Sequence, residues 1–182
     1  MHNPRILRLW DIDTNKLLKS IQLDMASQCC TFSPDGKAIA VGYGAPRKIM
    51  ASETHGKWAI IDITNSSKIF ETRPSRKMIT EIKWSDKYIA IGLQDCKVYL
   101  YKVKETHIRE NQSPIVSHIF TFDQHYSPIT AIDFSKDSTF VKVNCNHNLH
   151  FFNVKDGNLI EDVSSIKDVK WNTHHCTRSW DV

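Results

Sequence analysis

Ile79-Thr80-Glu81-Ile82-Lys83-Trp84-Ser85, the polar turn Asp86-Lys87 and Tyr88-Ile89-Ala90-Ile91-Gly92 form the stretch that decides the fold. It is a strand, a tight turn and a second strand. Lys97-Val98-Tyr99-Leu100-Tyr101-Lys102-Val103 follows as a third strand. In this third strand Val98 and Leu100 point one way and Tyr99, Tyr101 and Val103 the other. Both faces therefore carry apolar groups, as in a sheet stacked between two neighbours. The second strand sets small Ala90 and Gly92 against Ile89, Ile91 and Leu93, a large-against-small pattern suited to closely stacked sheets.

The same unit occurs on either side. Upstream, Gln28-Cys29-Cys30-Thr31-Phe32-Ser33 leads through Pro34-Asp35-Gly36-Lys37 to Ala38-Ile39-Ala40-Val41-Gly42, then Trp58 to Ile63. Downstream, Ile129-Thr130-Ala131-Ile132-Asp133-Phe134-Ser135 leads through Lys136-Asp137-Ser138 to Thr139-Phe140-Val141-Lys142-Val143, then Leu149 to Val154. The aromatic-Ser pairs Phe32-Ser33, Trp84-Ser85 and Phe134-Ser135 recur about every 50 residues, in the upper part of the period of propeller blades. Fourth strands are expected at Lys68–Thr72, Ile115–Phe122 and, more weakly, Leu159–Val163. Four short strands per unit is the blade formula.

The expected architecture is all-β: a partial β-propeller of four-stranded antiparallel blades, three complete with a part-blade at each end. Residues 1–27 are read as the third and fourth strands of a preceding blade, 28–77, 78–127 and 128–164 as blades, and 165–182 as the start of a further one. Trp10, Phe32, Trp84, Phe134 and Trp171 are its expected structural aromatics. Propellers usually close with at least four blades. The chain is therefore expected to be a piece or short form of a larger propeller. Two apolar blade faces would be left for the rest of the ring or for self-association.

Composition agrees with a globular chain. Of 182 residues, 41% are apolar and 24% charged, and 24 Lys and Arg against 20 Asp and Glu give a net charge of +4. So small and scattered a surplus does not point to nucleic acid. No stretch reaches the roughly 18–20 apolar residues of a membrane span, and no hydrophobic leader follows Met1. Cys29, Cys30, Cys96, Cys145 and Cys176 are widely spaced and odd in number, which suggests reduced thiols and a cytoplasmic setting.

Catalytic patterns are missing. Gly42-Tyr43-Gly44-Ala45 lacks the Gly-Lys-Ser/Thr ending of a phosphate loop. Ser33 and Ser135 follow aromatics in hairpin turns and form no nucleophile elbow. His174-His175-Cys176 is the densest ligand-like cluster, but adjacent strand residues point to opposite faces and no spaced pair completes a site. Neither an enzyme nor a cofactor or metal protein is expected. Two long loops, residues 43–57 and 104–114, fall on opposite faces of the ring, and the first carries Arg47 and Lys48. Arg73-Pro74-Ser75-Arg76-Lys77 places three cations in five residues. It reads as a solvated inter-blade loop, a contact for an acidic protein segment, or a phosphate contact.

Leu9-Trp10-Asp11-Ile12, Thr31-Phe32-Ser33-Pro34-Asp35-Gly36-Lys37 and Gln94-Asp95 resemble WD-repeat blade signatures, although no Gly-His pair opens a blade. Ile129 to Ser138, then Val143-Asn144, then Val169-Lys170-Trp171 with Cys176, resemble the last blades of the echinoderm microtubule-associated protein-like family. That resemblance implies a non-catalytic interaction module of a microtubule- or tubulin-associated protein, with a cytoplasmic and cytoskeletal location. A tubulin tail is then one acidic partner for Arg73, Arg76 and Lys77. A scaffold for a different protein is the alternative. The family's coiled-coil segment has no counterpart in these residues.

Overall fold

The computed structural model describes residues 5–44, 55–104, 115–146 and 148–176. Their strands form four antiparallel sheets in chain order. The first sheet pairs β1 (Ile6–Trp10) with β2 (Leu17–Gln22). The second runs β3 (Ser27–Phe32), β4 (Ala38–Tyr43), β5 (Trp58–Asp62) and β6 (Lys68–Thr72). The third runs β7 (Ile79–Ser85), β8 (Tyr88–Leu93), β9 (Val98–Lys104) and β10 (Ile115–Phe122). The fourth holds β11 (Ile129–Phe134), β12 (Phe140–Cys145) and β13 (Asn148–Asn153). Every pairing joins sequence neighbours, so each sheet is a meander, and together they form the arc of a partial β-propeller.

Local chemistry sets the turns. In the first complete blade the Ser33 hydroxyl donates to Asp35 at 2.7 Å and accepts from the Ala38 amide at 2.9 Å. In the last, three-stranded sheet, Ser135 donates to Asp137 at 2.6 Å and accepts from the Phe140 amide at 2.9 Å. Gly36 and Ser138 occupy the same place in these turns, both with positive φ, +71° and +59°. The aromatic-Ser repeat is thus a hairpin device in which one hydroxyl and one carboxylate close the turn. All three inner strands also carry a bulge at the same place, between Ser27 and Cys29, Ile79 and Glu81, and Ile129 and Ala131.

The core lies between the sheets. Trp58, Ile60 and Ala40 pack with Ile79, Ile82, Trp84, Ile89 and Tyr101 in one interface. Ala90, Val98 and Leu100 pack with Ile129, Ile132, Phe134 and Val141 in the next. The two faces read from the third strand therefore belong to different interfaces. Glycine makes the close approach possible: a Cβ at Gly42 would lie 2.8 Å from Ile79 Cγ2, and one at Gly92 would lie 2.5 Å from Ile129 Cγ2. The second and third blades each insert an isoleucine into the bare backbone of the blade before.

The ends differ from the middle. Trp84 and Phe134 are buried against the preceding blade, whereas Phe32 is 55% exposed and Trp10 56% exposed. The cause is the two-stranded first sheet, which packs Leu7, Leu9 and Ile21 on Ile39, Val41 and Ala59 but places no inner strand beside Phe32. At the other end the fourth place of the last sheet is marked by a single bridge, Phe152 to Leu159. The chain then turns away, because Asp162 caps a short 3-10 helix, Val163–Ile166, by accepting from the Ser164 amide at 3.0 Å. Residues beyond it cross the outer face of the last sheet. There Ile166 and Trp171 are buried with Phe151, and Trp171 makes one antiparallel bridge to Ser135. Of the two blade faces expected to lie bare, this one is covered by the chain itself.

Candidate functional site

Two places combine charge with defined geometry. The first is the segment from Arg73 to Lys77, which joins β6 to β7. The Ser75 hydroxyl donates to Asp95 Oδ2 at 2.7 Å, and Ser75 Oγ accepts from the Lys77 amide at 3.2 Å. Arg73 Nε donates to the Ser75 carbonyl at 3.3 Å. Gly56 sits against that carbonyl at φ +75°, where a Cβ would come within 2.0 Å of it. The backbone is therefore pinned from both sides while Arg76 and Lys77 project as exposed cations and Arg73 is half-buried. The Tyr99 hydroxyl is pushed up in pKa by burial and by the charge of Asp95, so it remains a neutral neighbour of this carboxylate. Arg47 and Lys48 lie outside the described residues, although Gly56 brings the base of their loop onto Ser75.

The second place is the outer face of the last sheet. Asp133 and Lys142, directly opposed on β11 and β12, are both 0% exposed, with Nζ 3.7 Å from Oδ2. Asp133 also accepts from the Thr173 hydroxyl, from the His175 amide at 3.2 Å and from the Cys176 amide at 2.9 Å. Lys142 Nζ stands 4.6 Å over the centroid of Trp171, a cation–π contact. The Cys176 thiol, pushed up in pKa by burial and by the Asp133 charge, donates to the Lys142 carbonyl at 3.7 Å. This network fastens the terminal segment. Sequence reasoning missed it, yet a signal existed: Lys142 stands where the other two blades have Ala40 and Ala90, and Asn144 where they have Gly42 and Gly92.

Of His174-His175-Cys176 only Cys176 is buried in this packing; His175 joins it through its backbone amide, and the His174 and His175 side chains are exposed. Among the described residues no group of three His, Cys, Asp or Glu side chains could hold a metal ion. No described helix is long and apolar enough to cross a membrane.

Residues 3–182 match the family described as the echinoderm microtubule-associated protein second beta-propeller. The chain belongs to this family. Echinoderm microtubule-associated protein-like 3 of Homo sapiens is 25% identical over 182 residues, covering 98% of this chain and 18% of the relative. Echinoderm microtubule-associated protein-like 2 of Rattus norvegicus is 23% identical over 181 residues, covering 98% and 25%. The 77 kDa echinoderm microtubule-associated protein of Lytechinus variegatus is 24% identical over 168 residues, covering 91% and 23%. The chain thus spans a quarter or less of these relatives. Among solved structures, a chain of a mitotic checkpoint complex superposes with a TM-score of 0.66 at 14% identity, over 85% of this chain and 43% of that one. At such identity the likeness concerns the fold. Membership of this second-propeller family makes the chain a protein-interaction propeller and not an enzyme.

Proposed function

We propose that this propeller segment is a non-catalytic module of a cytoplasmic microtubule- or tubulin-associated protein, and that Arg73, Arg76 and Lys77 contact an acidic segment of the partner. The observation that carries this reading is the pinned backbone. Ser75 is held by Asp95 below and Gly56 beside it, so Arg76 and Lys77 are presented in a fixed place, and no described carboxylate forms an ion pair with either. Preorganised cations lose less entropy on meeting an acidic tail than cations on a free loop. Arg47 and Lys48, outside the described residues, are proposed as further protein contacts on their charge alone. The relatives' names, which refer to microtubules, support the choice of partner.

The uncovered side of β1 and β2, with Trp10, Leu17 and Leu18 exposed, is where the remainder of a larger propeller or a second copy packs in the same proposal. Binding is tested by co-sedimentation of the chain with microtubules and by gel filtration with soluble tubulin at several salt concentrations. Retention at low salt that weakens about tenfold in Arg76→Glu/Lys77→Glu supports the proposal, since two exposed charges contribute roughly 0.2–1 kcal/mol each and their reversal more. No retention at low salt, together with capture of a non-tubulin protein by the same basic face, favours the scaffold reading.

A further inference from the structure

At the far end of β11 the terminal segment runs antiparallel to the inner strand. The Asn172 amide donates to the Phe134 carbonyl at 2.9 Å and the Lys136 amide to the Lys170 carbonyl at 2.8 Å. With Ser135 bridged to Trp171, this register sets Lys136 directly opposite Lys170. Like charges in directly opposed cross-strand positions, with Cβ atoms about 4.5–5.5 Å apart, are destabilising. Lys167 and His174 line the same open cleft of about 490 Å³, whose buried wall is Trp171. Among the described residues, Asp168 is the only acid in that lining.

Some lysines of the chain are neutralised by carboxylates, Lys68 by Asp24 and Glu71 at 2.8 Å each and Lys83 by Glu81 at 3.1 Å. Among the described residues, Lys136, Lys167 and Lys170 form no ion pair. A lone lysine on a strand edge is explained by protection against unwanted strand pairing. Two opposed lysines with a third beside them are not, because the edge in question is already paired.

We propose that this cleft binds a phosphate dianion, free or carried on a peptide side chain. Ammonium groups on flexible stems are point charges that can gather around a tetrahedral anion, and three of them, Lys136, Lys167 and Lys170, stand in the described lining. The site lies at the opposite ends of the strands from Arg73–Lys77, separated by a strand length of roughly 20 Å. It is therefore independent of the proposed tubulin contact.

The test is titration of the full chain with sodium phosphate, followed by backbone amide NMR shifts, against sodium chloride at matched ionic strength. Saturable shifts confined to Lys136 and residues 167–174, weakened about fivefold or more by Lys136→Gln/Lys170→Gln and retained in Lys136→Arg/Lys170→Arg, support the site. A phosphoserine peptide binding more tightly than phosphate assigns the group to a partner chain, and equal affinity assigns it to free phosphate. Shifts that stay linear, or that chloride reproduces, overturn the proposal from the unsubstituted protein alone.

Discussion

Replacing Asp133 by Ala removes the one carboxylate facing a fully buried Lys142 and takes the acceptor from Thr173, His175 and Cys176. At the observed 3.7 Å, the gross attraction is ~4 kcal/mol for an effective dielectric constant of about 20, before desolvation is counted. Breaking a buried pair by deleting one partner costs about 3–5 kcal/mol, because the remaining charge has no compensation. The three lost hydrogen bonds do not add fully to this, since the terminal segment can lift and let water reach both sides. The expected destabilisation is therefore about 3–5 kcal/mol. Lifting also exposes Trp171 and Ile166 before global unfolding, so the urea m-value should fall. Asp133→Leu/Lys142→Met, which replaces the pair by apolar groups of similar volume, should recover stability to within about 1 kcal/mol of the parent. Equilibrium urea unfolding followed by tryptophan fluorescence measures all three proteins. A loss below about 1 kcal/mol for Asp133→Ala with an unchanged m-value would refute the idea that this pair fastens the terminal segment.

Acid should weaken the interface between the second and third blades. His125 is 5% exposed, beside His150 at 4.9 Å between ring centroids, and burial followed by the His150 charge pushes its pKa down to about 4. Its unfolded value is near 6.5, so between those values the unfolded chain binds more protons and stability falls as pH falls. The loss from pH 7 to pH 5 is roughly 1–2 kcal/mol, and thermal melts in which His125→Leu shows the same slope as the parent would count against it. Gly92→Ala drives a Cβ to 2.5 Å from Ile129 Cγ2 and should destabilise by about 1–3 kcal/mol in chemical denaturation; a neutral outcome would mean the blades separate easily. Ser135→Ala removes the hydroxyl that joins Asp137 to the Phe140 amide, at an expected cost of about 1–2 kcal/mol by the same method. Equal stability there would show that the turn closes without it.

The hairpins were legible because their causes are local and repeated. Ser33, Asp35 and Gly36 recur in kind as Ser135, Asp137 and Ser138, and a period-two pattern with apolar groups on both faces leaves few arrangements besides stacked sheets. The Arg73–Lys77 cations were equally visible as charge, but their pinning through Ser75 depends on Asp95, twenty positions on, and on Gly56. The first-strand pattern of residues 165–182 speaks to strand propensity and not to the partner. By itself the sequence determined an all-β arc of meander sheets, because alternation and turn chemistry act within a few residues. Only the tertiary structure decided that Lys142 faces Trp171, that Asp133 faces Thr173 to Cys176, and that Lys136 faces Lys170. Those meetings join residues about thirty to forty positions apart, and pairings so distant are set by the register of packed strands.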